Sequence, residues 1–153
     1  MVGSNKNTAD PHDLDRFLAA QKSDYEQALA EIRSGRRRTH WMWYICPQYA
    51  GLGSSSMAQR YAIKNLSEAA AYLQHPVLGD RLVECVEAVL GIENRTAIEV
   101  FGSPDDMKLC SSATLFAAVS PAGSVFERLL DKYFEGHRDQ RTLQLLAGIS
   151  KDD

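Results

Sequence analysis

The chain has 153 residues, 44% of them hydrophobic and 24% charged, close to the averages for globular proteins, which argues against collagen-like, low-complexity and disordered classes. Seventeen Lys and Arg against twenty Asp and Glu leave a net charge of -3, without the basic excess of a dedicated nucleic-acid binder. No apolar run reaches the roughly 20 residues of a membrane-spanning helix, and the polar start lacks the apolar stretch of a signal peptide, so a cytoplasmic protein with neither membrane nor nucleic-acid partners is expected.

In chain order, residues 1–10 are rich in Asn, Ser and Lys and read as a disordered arm, with a single helical domain over residues 11–150. Asp10 and Pro11 have the character of a helix start. Apolar residues then recur at Leu14, Phe17, Leu18, Tyr25, Ala28, Leu29 and Ile32, and Gly35 supplies a stop. Arg33 and Arg36, Arg37 and Arg38 lie where cations favour the negative end of that helix's dipole, and Arg36 to Arg38 with His40 and the aromatic residues that follow equally suit a nucleotide's phosphate and base. The apolar run from Trp41 to Cys46 fits a strand or a buried helix equally. From Tyr49 to Ser56, two glycines and three serines predict an irregular loop.

Asn65 or Ser67 caps a helix that His75 and Pro76 end, and Leu78, Leu82, Val86, Val89 and Leu90 mark the next, closed by Gly91. Asn94 to Phe101 reads as a short helix. Ser103 and Pro104 open one reaching about Val119, Ser120 and Pro121 open one reaching Phe134, and Gln140 to Ala147 form the last. The expected fold is all-α, a compact bundle of about six or seven helices with one long irregular loop. Cys46, Cys85 and Cys110, each in an apolar stretch, read as buried free thiols rather than disulfide partners.

The helix after Pro104 carries the most informative pattern. Its apolar residues spread around the whole circumference, the mark of a buried helix, yet Asp105, Lys108 and Ser112 form a polar stripe along one side. A buried charge must be paired or face a cavity. The stripe is therefore either an Asp105–Lys108 ion pair with Ser112 bonded back to the backbone, or the polar wall of a pocket. Trp41, Trp43 and Tyr44 beside His40 offer aromatic surface that fills a core or stacks a base or nicotinamide ring. Gly51 to Ser56 reads as a plain loop, with phosphate cradling the weaker alternative because the strand-turn-helix context and the Walker lysine are missing. The four histidines are scattered and no CxxC or HExxH is present, so neither a metal nor a cofactor is expected.

The sequence resembles the bacterial domain-of-unknown-function family 1810, whose members are sometimes labelled calpastatin, from about Asp13 to Leu146. The resemblance is carried by Ala20 and Gln21, Gly35, the HWMWY run His40 to Tyr44, Pro47 and Gln48, Gly51 to Ser54, Tyr61 to Ile63, Tyr72 and Leu73, and His75 to Gly79. It continues through Arg81 and Leu82, Phe101 and Gly102, Asp106, Lys108 and Leu109, Ser111 and Ser112, and Thr114 to Phe116. It implies a compact, mainly helical fold and no established activity. The layout is also distantly similar to the NAD- and ADP-ribose-associated group, which implies an N-glycosidic bond as target, with Asp105 or Asp106 and Glu26 as carboxylates.

The expected function is accordingly a pocket for a small nucleotide-like or ADP-ribose-like ligand, acting on such a bond if catalytic. In that reading His40, Asp106 and Lys108 are the catalytic candidates, and Trp41, Trp43, Gln48, Ser54, Tyr61 and Ser112 bind the ligand, with Ser55 and Ser56 as further donors. The alternative is a non-catalytic interaction or structural module in which the same residues tie the loop to the core.

Overall fold

The computed structural model describes residues 10–148; the expected N-terminal arm falls almost wholly outside them. Nine helices follow one another in this span: α1 (Asp15–Arg33), α2 (Met42–Ile45), α3 (Ser56–Arg60), α4 (Leu66–Gln74), α5 (Leu78–Leu90), α6 (Ala97–Phe101), α7 (Asp105–Ala117), α8 (Val125–Phe134) and α9 (Gln140–Leu146). The described residues contain no strand, only an isolated parallel bridge between Tyr49 and Ile63. The fold is all-α.

Seven of the helices are those the sequence announces, and the additional two are the short turns α2 and α3. The Trp41 to Cys46 run is thus resolved as one helical turn. Starts are set by side-chain caps where the sequence offers them. Asn65 accepts from the Glu68 amide, and Asp139 from that of Thr142. Three starts differ from expectation. At α1, Asp10 accepts from the Leu14 and Asp15 amides at 2.7 and 2.9 Å, so regular helix begins at Asp15 rather than at Pro11. At α6 the Thr96 and Glu99 capping box displaces the start from Asn94 to Ala97. At α8, Ser120 donates back to the Phe116 carbonyl at 2.7 Å and Ser124 caps instead, so the helix begins at Val125 rather than at Ser120 and Pro121.

Helix α7 is central. Every residue from Leu109 to Ala117 is buried, and the helix packs against α2, α4, α6, α8 and α9. Phe116 joins Tyr72 of α4 to Phe126 of α8, with ring centroids 5.4 and 5.7 Å apart. Helices α1 and α5 close the other side, with α4 entering α5 through a tight corner at Gly79, where a Cβ would lie 2.0 Å from the Leu73 carbonyl oxygen.

Buried polar groups are paired across long stretches of sequence. Arg16 spends its guanidinium on the carbonyls of His12, Asp13, Arg60 and Ala62 and on Glu68, at 2.7 to 2.9 Å. Gln21 donates to the Tyr44 carbonyl and the Tyr72 hydroxyl and accepts from Arg81. The three cysteines are free and buried as expected. Burial raises all three thiols, that of Cys85 to about 12 and that of Cys110 to about 11.

Candidate functional site

The segment between α1 and α2 is organised by a buried acid, Glu31. Its carboxylate accepts from the backbone amides of Arg38 and Thr39 at 2.8 and 3.0 Å, the Thr39 hydroxyl at 2.7 Å, the Trp41 indole at 2.9 Å and Gln27 at 2.8 Å. Burial pushes the Glu31 pKa up, but these donors, led by Thr39, overcome it and hold the group at about 2. The backbone of residues 38–41 is therefore set from beneath by one charge.

Arg37 turns inward beside it. Its guanidinium donates to the Phe101 carbonyl through Nε at 3.2 Å and Nη2 at 2.8 Å, and to the Thr39 carbonyl through Nη1 at 2.9 Å. Nη2 also pairs with Asp105 Oδ2 at 2.9 Å, while Lys108 Nζ reaches Asp105 Oδ1 at 3.1 Å. One carboxylate thus serves two cations. Lys108 then lies over the half-buried Trp43 ring, 5.5 Å from its centroid, and the His40 Nδ1 stands 3.4 Å from Arg37 Nη1. His40, Arg37, Asp105, Lys108 and Trp43 form one continuous polar and aromatic string at the start of α7.

The expected ion pair at spacing i, i+3 is present, with Arg37 as an additional partner from 68 residues upstream. The hydroxyls on α7 seen bonding back to the backbone are Ser111, to Met107, and Thr114, to Cys110; Ser112 is buried on the same helix. Asp106 points elsewhere. Two residues before Lys108, it stands about 160° around the helix from it, and its Oδ1 is buried with no hydrogen-bond partner.

Other expected ligand-binding residues are dispersed. Trp41 is 1% exposed, edge-on to Phe101, with its indole N–H spent on Glu31. Tyr61 is buried between Phe17 and Tyr44, at ring centroid distances of 5.8 and 5.2 Å. Gln48 lines a separate small cleft of about 130 Å³ with Gly51, Gly53, Gln59 and Lys64. Ser54 is exposed, its carbonyl accepting from Gln59, while Ser55 caps α3 and Ser56 begins it. Glu26 is exposed on α1. Among the described residues no cluster of three or more His, Cys, Asp or Glu is arranged to hold a metal ion.

Arg37 and Glu31 hold the site together, and of the two only Glu31 was missing from the sequence reading. Arg37 reads from the sequence as a helix-end cation or a phosphate ligand rather than as a tie to Asp105, and Glu31 within an amphipathic helix gives no signal.

A central helix buried from Leu109 to Ala117, with the Asp105 and Lys108 edge of its first turn tied to an arginine-rich segment, defines a helical domain whose polar string opens at a single tryptophan. The chain belongs to the family described as protein of unknown function (DUF1810), whose model matches residues 11–146. It is similar to the crystal structure of the conserved hypothetical protein Rv1873 from Mycobacterium tuberculosis, with 53% identity and a TM-score of 0.89 over 90% of this chain and 99% of that one. None of the curated proteins matches it. Among the described residues no helix is long and apolar enough to cross a membrane.

Proposed function

We propose that the Trp43, Lys108 and His40 rim binds a small anionic ligand bearing an aromatic ring, of nucleotide or ADP-ribose type. The observation that carries this reading is the sharing of Asp105 between Arg37 and Lys108. The triad sums to one positive charge beside an indole ring that is not fully buried, a pairing that suits a phosphate or carboxylate joined to a stacking base. In this reading Trp43 stacks the ring, Lys108 and His40 receive the anion, and Arg37 and Asp105 are positioning residues. The role is one of binding, because the unpaired acid, Asp106, lies about 160° around α7 from Lys108.

A second reading is favoured by Arg37 itself. With donors spent on Phe101, Thr39 and Asp105, it works as a clamp between α6, α7 and the segment after α1. Intrinsic fluorescence separates the two, since the chain has two tryptophans and Trp41 is sealed in the core. Titration with AMP, NAD and ADP-ribose is expected to give saturable quenching that disappears in Trp43→Phe and weakens about tenfold in Lys108→Met, with both variants folded. No quenching by any of the three, together with a lowered melting temperature in Lys108→Met, would establish the clamp alone.

A further inference from the structure

Arg36, Arg38 and Arg95 are exposed, and their side chains make no hydrogen bond or ion pair within the described structure. Their positions in the fold are close together. Arg36 and Arg38 are two residues apart, so their Cα atoms are within about 7.6 Å of each other. Arg95 lies across Gly35, the residue before Arg36: its Nε stands 3.3 Å from where a Gly35 Cβ would be. Arg33, one turn back, lines with Arg95 a cleft of about 460 Å³ whose other walls include Gly35, Gly91, Ile92 and Glu93. Glu84 reaches Arg33 at 3.6 Å, both side chains being largely exposed. Setting Glu84, Glu93 and Glu99, the exposed acid beside Ile98, against the four arginines leaves an excess of one positive charge on a chain whose net charge is -3.

The dipole of α1 accounts for only one of them. Arg33 is the basic residue of its last turn, whereas Arg36 and Arg38 lie beyond the helix and Arg95 comes from the loop after α5, and the dipole's influence fades within one turn. We propose that this surface docks an acidic segment of a partner protein. Arginine is the side chain best suited to hold carboxylates in pairs, and Ile98, three residues beyond Arg95 and 52% exposed, offers an apolar contact close by in the chain. The Val100 carbonyl of that short helix accepts from the Arg37 amide at 2.8 Å, joining it to the arginine segment. The cleft lining contains no aromatic ring, so the platform that single-stranded nucleic acids stack upon is lacking. Glu31 fixes the backbone amides of Arg38 and Thr39 beforehand, which lowers the ordering cost of docking.

Fluorescence anisotropy at low ionic strength tests this with a labelled glutamate-rich peptide carrying a central leucine, the same peptide without leucine, and a labelled single-stranded RNA of equal length. The leucine peptide is expected to bind tightest. Arg36→Glu, Arg38→Glu and Arg95→Glu together are expected to weaken it at least about tenfold. Ile98→Asp is expected to abolish the preference for leucine, whereas reversing Lys22, Lys64 and Arg128 to Glu leaves binding unchanged. Circular dichroism confirms that each variant is folded. Absence of binding, equal loss in the control triple, or tighter binding of RNA than of either peptide would overturn the proposal.

Discussion

At the scale of single residues, Glu31 is a carboxylate whose surroundings were built for its charge. Its folded pKa, about 2 against an ordinary 4.5, means the unfolded chain binds the proton more readily. The stabilisation is therefore complete above about pH 4.5 and is lost as the pH falls towards 2. A shift of that size corresponds to something on the order of 3 kcal/mol. Denaturant unfolding of wild type and Glu31→Gln is expected to differ most near neutrality, the gap narrowing below about pH 4.5 and closing as the pH falls through about 2; parallel curves across the acid range would refute the assignment. The Asp105–Lys108 pair was readable from its i, i+3 spacing, because helical geometry makes such neighbours meet. The Arg37 partnership was not readable, since Arg37 and Asp105 lie 68 residues apart and only tertiary folding joins them. Glu31 was hidden for a related reason: its five donors come partly from a loop whose path the sequence does not specify.

At the scale of elements, the helix boundaries show how local chemistry competes. Proline after serine suggested the start of α8 at Ser120, but a serine in this position also bonds back to the preceding turn, and the better cap four residues on prevailed. The one-turn helix α3 escaped notice, and α2 was not distinguishable from a strand, because four or five residues span too little of a period to register. The corner between α4 and α5 gives a sharp test. At Gly79 an added methyl carbon would sit 2.0 Å from the Leu73 carbonyl oxygen, whereas at Gly91 the nearest atom is 3.4 Å away and φ is an ordinary -78°. Gly79→Ala is expected to cost about 3 kcal/mol by forcing the two helices apart, and Gly91→Ala to be neutral or stabilising by about 0.4–1 kcal/mol. Urea midpoints measure both; equal effects would mean that the corner yields easily.

At the scale of the whole molecule, the all-α class and the centrality of α7 were legible because a helix apolar around its full circumference has nowhere to go but inside. The site was legible only in part. The sequence grouped aromatic, glycine-rich and charged segments by proximity along the chain, but folding separated the glycine loop and Tyr61 from the Lys108 string and sent Trp41 into the core. Aromatic residues near a charge are equally suited to either use until packing decides. Phe116, fully buried between Tyr72 and Phe126, ties α4, α7 and α8 into that core. Phe116→Ala is expected to lose about 3–5 kcal/mol, a large share of the roughly 5–15 kcal/mol that holds a domain folded. A loss under about 1 kcal/mol by chemical denaturation would place the centre of the core elsewhere.

Arg16 carries a consequence for the region after α2. Between Cys46 and α4 the only helix is the short α3, and across this stretch Arg16 grips the carbonyls of Arg60 and Ala62 while Ile63 bridges back to Gln48 and Ala50. The glycine- and serine-rich excursion is therefore laced to the first turns of α1. It opens as one cooperative unit with them rather than fraying as an independent loop.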